Sequence, residues 1–125
     1  MSVLYDLQSY LKQKGIIQQD GVDCFIDNMP EKPDNVISLF EYEGTTDFVA
    51  NRSVQIVVRD TSYETGRNRC IEAFNAVENP YNRITQLTED RWAILKARQP
   101  VFKLKEDESS RTVWAFNLSV VTYND

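Results

Sequence analysis

The sequence predicts an α+β domain in which two main helices pack against one antiparallel or mixed β-sheet. Apolar residues repeat with helical spacing at residues 2–14 and again from Thr61 to Asn79. Alternating apolar segments, which are typical of strands, lie between these helices and after the second one. Helices segregated from runs of strands indicate the α+β class, and 125 residues suit a single domain, 1–125.

The first predicted helix carries its apolar side chains on one stripe. Leu4, Leu7 and Leu11 follow the i, i+3, i+7 spacing, and Gly15 is well placed to end the helix. A stripe of this kind usually covers a sheet, so we expect the helix to pack on the core. An amphipathic helix that binds a partner protein is the alternative interpretation.

The next segment predicts two strands separated by a proline-rich connection. A short strand is expected over 22–28. Pro30 and Pro33 then hold the chain extended and interrupt regular structure. The strand over 36–43 has apolar residues on both faces, which indicates a central strand covered on both sides for part of its length.

A polar connection from Gly44 to Arg52 is longer than a usual hairpin loop and carries two apolar residues, Phe48 and Val49. If these side chains are exposed, the loop is a contact surface; if they fold back onto the core, they have only a packing role. The sequence leaves both interpretations open.

The second helix follows a strand and begins, by prediction, at Thr61. Thr61 and Glu64 fit the capping-box pattern, in which each side chain accepts a hydrogen bond from a backbone amide of the other residue. Gly66 inside this helix costs about 1 kcal/mol relative to alanine. We therefore expect Gly66 to pack closely against a strand or a neighbouring subunit. One side of the helix should carry Tyr63, Cys70, Phe74 and Val77.

Five further strands are predicted from alternation of apolar and polar residues. They lie at 53–59, 92–97, 101–105 and 112–123, with a short one at 84–87 inside a loop that spans 80–91. Pro100 favours a strand over 92–97, and a short helix is the alternative there. Phe102 and Leu104 are expected to point inward, and a charged hairpin tip should span Lys105–Arg111. In the last strand the core-facing residues are predicted to be Trp114, Phe116, Leu118 and Val120, with Ala115, Asn117 and Ser119 facing away.

The composition disfavours several kinds of chemistry. The chain has no histidine, which removes Ser-His and Cys-His pairs and the commonest transition-metal ligand. No glycine-rich phosphate loop is present. Cys24 and Cys70 lie far apart, so buried free thiols are expected; a disulfide would need their elements to pack face to face. We predict no catalytic, metal or cofactor site.

The net charge of −5 indicates a poor nucleic-acid binder, because phosphates repel an acidic surface. No apolar run approaches the roughly 20 residues needed to cross a bilayer, and the first residues do not resemble an export signal. The densest carboxylate cluster comprises Glu106, Asp107 and Glu108, and we expect it to be a solvated turn.

Four arginines cluster around the predicted strand-to-helix junction, namely Arg52, Arg59, Arg67 and Arg69. They are compatible with phosphate binding at the helix N-terminus or with pairing to acidic residues of a neighbouring subunit. The interleaved Asp60 and Glu64 argue against phosphate. A solvated face is the simplest interpretation.

Four segments carry a resemblance through their order and spacing. They are Met29–Asn35, the strand end Tyr42-Glu-Gly44, Val54–Asp60 with its helix, and the stretch from Gln99-Pro100 through Asp107-Glu108, Arg111 and Asn117. Together they resemble the minor capsid or tail-completion proteins of tailed bacteriophages, which are similar to tail terminators. The likeness covers most of the chain from residue 22 onward. The family pattern leads us to expect a glycine in the turn, where this chain has Asp107-Glu-Ser-Ser-Arg111.

The resemblance implies a tail terminator-like fold and a structural, non-enzymatic role in the virion of a phage or prophage, assembled in the host cytoplasm. Such proteins look like subunits of rings, often six-fold, that cap a tail tube or join it to the head. The implied partners are further copies of the chain, the major tail tube protein and head-connector proteins, with no membrane and no sequence-specific nucleic acid. We expect interface residues among Phe48, Val49, Arg52, Arg59, Arg67, Asp107, Glu108 and Arg111.

Two functions of other classes stay open. A small enzyme would use carboxylates such as Asp107 and Glu108, and the lack of histidine disfavours it. An acidic protein-binding module would inhibit a partner or mimic DNA. Loss of turnover on mutating those carboxylates would indicate the enzyme, and capture of one basic partner would indicate the module.

Overall fold

The computed structural model describes residues 3–18, 23–44, 49–78 and 84–123. It contains helices α1, Val3–Gln13, and α2, Tyr63–Val77. The strands are β1 Cys24–Ile26, β2 Val36–Gly44, β3 Val49–Asp60, β4 Ile84–Thr88, β5 Arg91–Ala97, β6 Phe102–Glu106 and β7 Thr112–Tyr123. The α+β class is confirmed.

The strands form one mixed sheet in the order β1-β2-β3-β7-β5-β4, with β6 also paired to β7. Only the β1–β2 pair is parallel among the described pairs. At the centre, β3 and β7 pair without interruption from Val49 opposite Tyr123 to Asp60 opposite Thr112. The other edge of β7 is shared, because β5 pairs with its second half and β6 with its first half.

Both helices lie on the same face of the sheet, and the sheet curls around them. Helix α2 packs on β3, β5 and β7, whereas α1 contacts β1 and β2 at one end of the sheet and β4 at the other. An ion pair between Asp6 and Arg91 and a hydrogen bond from Gln8 Nε2 to the Cys24 carbonyl oxygen, 3.3 Å, tie α1 to both ends. We name the helix-covered side the inner face and the opposite side the outer face.

The main core fills the inner face and confirms the predicted pattern. Leu4, Leu7 and Leu11 are almost fully buried, and complete burial of a leucine side chain contributes about 2 kcal/mol. They pack with the alternating residues of the two central strands, which are Val54, Ile56, Val58, Trp114, Phe116, Leu118 and Val120. Cys24 and Cys70 are buried in this core as free thiols, as predicted.

Helix α1 ends as the sequence predicts. Gly15 has φ +76°, in the left-handed region that glycine adopts without a Cβ penalty. The amide of Ile16 donates to the carbonyl of Leu11 at 3.0 Å, and the amide of Gly15 to that of Lys12 at 3.1 Å. These two bonds form a Schellman motif, which satisfies carbonyls that the helix end would otherwise leave open.

Helix α2 begins one residue later than predicted. Ser62 is the N-cap, and its hydroxyl accepts from the amide of Thr65 at 3.3 Å. The amide of Thr61 donates to Asn35 Oδ1 at 3.1 Å, so Thr61 belongs to the preceding connection and not to a capping box. The predicted close packing of Gly66 is confirmed, because a Cβ there would lie 2.7 Å from Asp60 Cβ.

The predicted loop from Gly44 to Arg52 is too long, because both of its ends belong to strands. Strand β2 continues through Gly44, and β3 already begins at Val49. The residues Val49–Arg52 extend β3 because they pair with β7, whose backbone reaches as far as Tyr123. Their partly polar sequence does not prevent this pairing. The predicted strand 22–28 is shorter too, with only Cys24–Ile26 as strand, and its first residue lies outside the described residues.

A smaller apolar cluster lies on the outer face. Val57, Val113 and Ala115 form its centre, and Met29, Phe40 and Phe102 cover them. Ala115 faces away from the main core as predicted, yet it is fully buried here. Leu104 contradicts the prediction, since it is 45% exposed. The register shift between Lys103 and Lys105 makes Leu104 the extra residue of a bulge, and this turns its side chain out of the cluster.

Candidate functional site

Three of the four resemblance segments meet at one end of the outer face. Arg59 is paired with Val113, so Arg111, two residues before Val113, lies on the same face of the neighbouring strand. The connection Pro30–Asp34 crosses above both arginines. We call the group formed by Glu31, Asp34, Arg59, Asp107 and Arg111 the arginine corner.

Arg59 holds the connection through its backbone. Its guanidinium donates to the carbonyl oxygens of Pro30 at 2.6 Å, Pro33 at 2.7 Å, Glu31 at 3.3 Å and Asp34 at 3.1 Å. The side chain is buried, with 4% exposure. Prolines cannot donate to a strand ladder, so this segment turns its carbonyls inward, where a five-donor guanidinium can satisfy them.

Arg111 holds the same connection through side chains as well. Its Nη1 donates to the Glu31 carbonyl oxygen at 2.7 Å and to Asp34 Oδ1 at 3.1 Å, and its Nη2 to Glu31 Oε1 at 3.0 Å. Its Nε donates to Asp107 Oδ2 at 2.8 Å. Arg111 therefore joins Met29–Asn35 to the hairpin tip.

Asp107 organises the tip beneath Arg111. Its Oδ1 accepts from the amides of Ser109 at 3.0 Å and Arg111 at 2.9 Å. Ser110 has φ +60°, a left-handed conformation that glycine adopts more easily. Position 110 is therefore where the glycine expected for this turn would fit without strain. An open depression of about 310 Å³ lies between the tip and Glu31.

The charged groups of the arginine corner shift one another's pKa values. Burial lowers the pKa of Arg59, and the positive charge of Arg111 lowers it further. The pKa of the Asp34 carboxyl is lowered by a hydrogen bond from Lys32 and, to a smaller degree, by Arg111. For Asp107, burial raises the pKa, but hydrogen bonds from the amide and side chain of Arg111 outweigh it, and the net pKa is lowered.

The other candidate residues lie elsewhere. Arg52 pairs with Glu41 at 2.6 Å near the far end of β3, and Arg69 pairs with Asp23 at 3.4 Å. Arg67 is exposed on α2. The predicted solvated face is thus right for Arg67 and wrong for Arg59, whose pairing across the sheet places it under the proline-rich connection.

Three candidates are less fully described. Val49 begins β3 opposite Tyr123, and Phe48 lies outside the described residues. Glu108 is exposed at the tip, in line with the predicted solvated turn, whereas Asp107 is committed to Arg111.

The structure also exposes apolar side chains that the sequence analysis did not single out. Ile84 and Trp92 are 60% and 54% exposed on β4 and β5. The alternation within β5, with Ala93 and Leu95 buried, was the available signal that Trp92 points to the other face.

Within the described ranges, no group of three or more Cys, Asp or Glu residues is arranged to hold a metal ion. No described helix is long and apolar enough to span a membrane. Burial raises the pKa of the Cys70 thiol to about 12, so this group is protonated and a poor nucleophile at neutral pH. The carboxylates of Asp34 and Asp107 bind neighbouring cations of the same chain, as expected for ion pairs that stabilise a corner of the fold.

Fold and site together define a small α+β domain in which two buried arginines, Arg59 and Arg111, donate to the protein's own backbone carbonyls. Comparison with known proteins then gives the family. Residues 10–124 match the family model described as bacteriophage tail terminator protein, and the chain belongs to that family. It is accordingly a phage structural tail protein, and the suspected family is confirmed.

Among solved structures, the fold is similar to that of a chain in the virion of a native gene transfer agent particle. The TM-score is 0.52 at 13% sequence identity, and the match covers 98% of this chain and 92% of that chain. No curated protein sequence matches. The likeness to the virion chain supports the fold alone, whereas the family assignment rests on the family model.

Proposed function

We propose that copies of this chain close into a ring, six-fold by family expectation, that terminates the tail tube and joins it to the head. Membership of the tail terminator family over residues 10–124 is the observation that carries the proposal. The likeness to a chain of a gene transfer agent virion is consistent with a place in a virion.

The fold is suited to such a role. The arginine corner fixes a proline-rich connection and a hairpin tip to the sheet, which keeps the surface shape constant between copies. A ring needs two different surfaces on each copy that fit one another and close after a fixed number of copies. Rigid subunits satisfy this requirement because small angular errors would otherwise prevent closure.

The acidic balance also supports a ring through which DNA passes. With a net charge of −5 per copy, a lumen lined by these subunits would repel phosphate groups. The genome would then slide without being held. The proposed partners are further copies, the major tail tube protein and a head-connector protein, and the proposed role is non-enzymatic.

Two experiments test the proposal. Sedimentation velocity of the purified chain from micromolar to millimolar concentration should show a monomer–ring equilibrium, and electron micrographs of the assembled species should show rings. Particles produced without the chain should carry tails of abnormal length or tails detached from heads, and supplying the chain from a plasmid should restore them. A strictly monomeric mass at millimolar concentration, together with normal infectious particles in its absence, would refute the ring.

A further inference from the structure

Helix α1 is the element that joins the two ends of the curled sheet. The strand order places β1 at one end and β4 at the other. Helix α1 contacts β1 and β2 at the first end and β4 at the second. Seven of its eleven residues are buried, namely Val3, Leu4, Asp6, Leu7, Gln8, Tyr10 and Leu11. The docked helix therefore covers the inner face at both ends of the sheet.

Polar contacts fix α1 to each of its neighbours. Arg91, at the start of β5, pairs with Asp6, whose side chain is only 7% exposed. At the opposite end of the sheet, Gln8 Nε2 donates to the Cys24 carbonyl oxygen at 3.3 Å. The hydroxyl of Tyr10 donates to the last turn of α2 at 3.2 Å. Residues two apart on a helix point about 200° away from each other, so Asp6 and Gln8 bind opposite ends of the sheet.

Helix α1 is too short to stay helical once it leaves the sheet. An isolated helix of fewer than about 12–15 residues is marginal in water, and α1 has 11 residues. Its helical form therefore depends on burial of Leu4, Leu7 and Leu11. Loss of contacts at one end of the sheet weakens the whole helix, and the contacts at the other end are lost with it.

The two end strands depend on α1 more than the centre of the sheet does. Strand β1 has three residues in a parallel pair, which is less stable per residue than an antiparallel one. Strand β4 has five residues and a register shift between Gln86 and Thr88. By contrast, β3 and β7 pair along all twelve residues of each strand and are covered by α2. Local opening begins where such contacts are fewest.

We propose that α1 acts as a clasp, which closes both ends of the sheet while it is docked and opens both together when it leaves. The centre of the sheet, with α2, stays folded in the opened state. Opening loosens β1 and β4, which otherwise cover the edges of β2 and β5. Free strand edges pair readily with other chains, so the closed clasp limits edge-to-edge association of the free chain. This inference does not depend on the proposed ring.

The two cysteines report the opening separately. Cys24 lies on β1 in the core that α1 covers, and Cys70 lies on α2; both are free thiols with no exposed surface. Labelling with iodoacetamide, followed by peptide mass spectrometry, gives both rates, each divided by its rate in the denatured chain. Cys24 should label at least about 10-fold faster than Cys70, because local opening costs less free energy than unfolding of the centre. Equal normalised rates would overturn the proposal.

The coupling between the two ends is tested first from β5. Arg91→Ala removes the guanidinium that pairs with Asp6 and lies at the other end of the sheet from Cys24. It should raise the labelling rate of Cys24 about 10-fold and leave that of Cys70 nearly unchanged. Lys96→Ala, at an exposed site of the same strand, is the matched control and should change neither rate. An unchanged rate at Cys24 would show that the ends open independently, and an equal rise at both cysteines would show that only the whole fold opens. Either result contradicts the clasp.

The reverse experiment uses a milder change, in case Arg91→Ala fails to fold. Gln8→Ala removes the hydrogen bond to β1, and Ser9→Ala, at the exposed neighbouring position, is its control. Because coupling between two sites is reciprocal, hydrogen exchange should become about 3-fold faster in Ile84–Thr88, at the opposite end, and stay unchanged in β7. Faster exchange confined to β1, no change in β4, or an equal increase in β7 would each refute the coupling through α1.

Discussion

Arg59 and Arg111 donate to the same carbonyl oxygen, that of Glu31, at 3.3 Å and 2.7 Å. Two like charges meet here because each also binds acceptors that the other does not reach. Arg59 takes the carbonyls of Pro30, Pro33 and Asp34, and Arg111 takes the carboxylates. The shared acceptor explains why the positive charge of Arg111 lowers the pKa of Arg59.

Replacing Arg59 with alanine should destabilise the fold by about 3 kcal/mol, because the four carbonyl acceptors of this buried side chain lose their donor at once. Arg59→Lys should recover only part of this loss, since an ammonium has three donors and cannot replace the guanidinium at four carbonyls. Chemical denaturation measures both. Arg67→Ala, at an exposed arginine of α2, is the control and should change stability by less than about 0.5 kcal/mol. Equal effects at Arg59 and Arg67 would contradict the role of the arginine corner.

The loss of folding stability at low pH should depend on Asp34 and Asp107. Both carboxyls have a folded-state pKa below the ordinary value of 3.8. Their stabilisation is therefore complete above the unfolded-state pKa and is lost as the pH falls through the lower, folded-state pKa.

Asp107→Asn should accordingly be less stable than the original chain at neutral pH, and the difference should shrink at acid pH. Denaturation at pH values from about 6 down to about 2 measures it. Glu72→Gln, at an exposed site on α2, is the control variant. A difference for Asp107→Asn that does not vary with pH would rule out this linkage.

Gly66→Ala should lower stability by about 1 kcal/mol. Alanine favours the helix by about 1 kcal/mol, but a new methyl would lie 2.7 Å from Asp60 Cβ and 3.3 Å from Trp114 Cδ1. Overpacking of this kind costs about 1–3 kcal/mol. Asn68→Ala, on the exposed side of the same helix, should instead gain about 0.5 kcal/mol. A stabilising Gly66→Ala would show that Asp60 moves away without cost.

Ser110→Gly should stabilise the protein by about 0.5 kcal/mol, since relief of the left-handed backbone outweighs the extra freedom of the unfolded chain. Ser109→Gly should have the opposite sign, because Ser109 is not among the described residues with positive φ. Thermal unfolding of the two variants, compared directly, measures the contrast. The same sign for both would argue against strain at Ser110.

Cys70 should not react with thiol reagents in the folded protein. Its side chain is fully buried, and its pKa is raised to about 12, so almost no thiolate is present at pH 8. Mass spectrometry after labelling with iodoacetamide measures the modification, with the denatured chain as the control. Rapid labelling without unfolding would show that the core opens locally around α2.

The spacing of apolar residues correctly predicted those helices and strands in which one whole face is buried. The i, i+3, i+7 leucines placed α1 on the sheet, and strict alternation identified the inner faces of β3 and β7. Both patterns follow from the periods of helix and strand, which depend only on neighbouring residues. Leu104 was misplaced because a bulge breaks that period, and no short-range signal in the sequence marked it.

The sequence by itself determined the fold class, the presence of two helices and the family likeness. It also determined that the first helix ends at Gly15 and that Gly66 packs closely against a neighbouring element. Only the tertiary structure decided which charges act together. Arg59 and Arg111 are far apart along the chain, and the register of β3 on β7 brings them onto one face beneath Pro30–Asp34. Propensity and periodicity are properties of adjacent residues, whereas a shared acceptor such as the Glu31 carbonyl exists only once distant strands have paired.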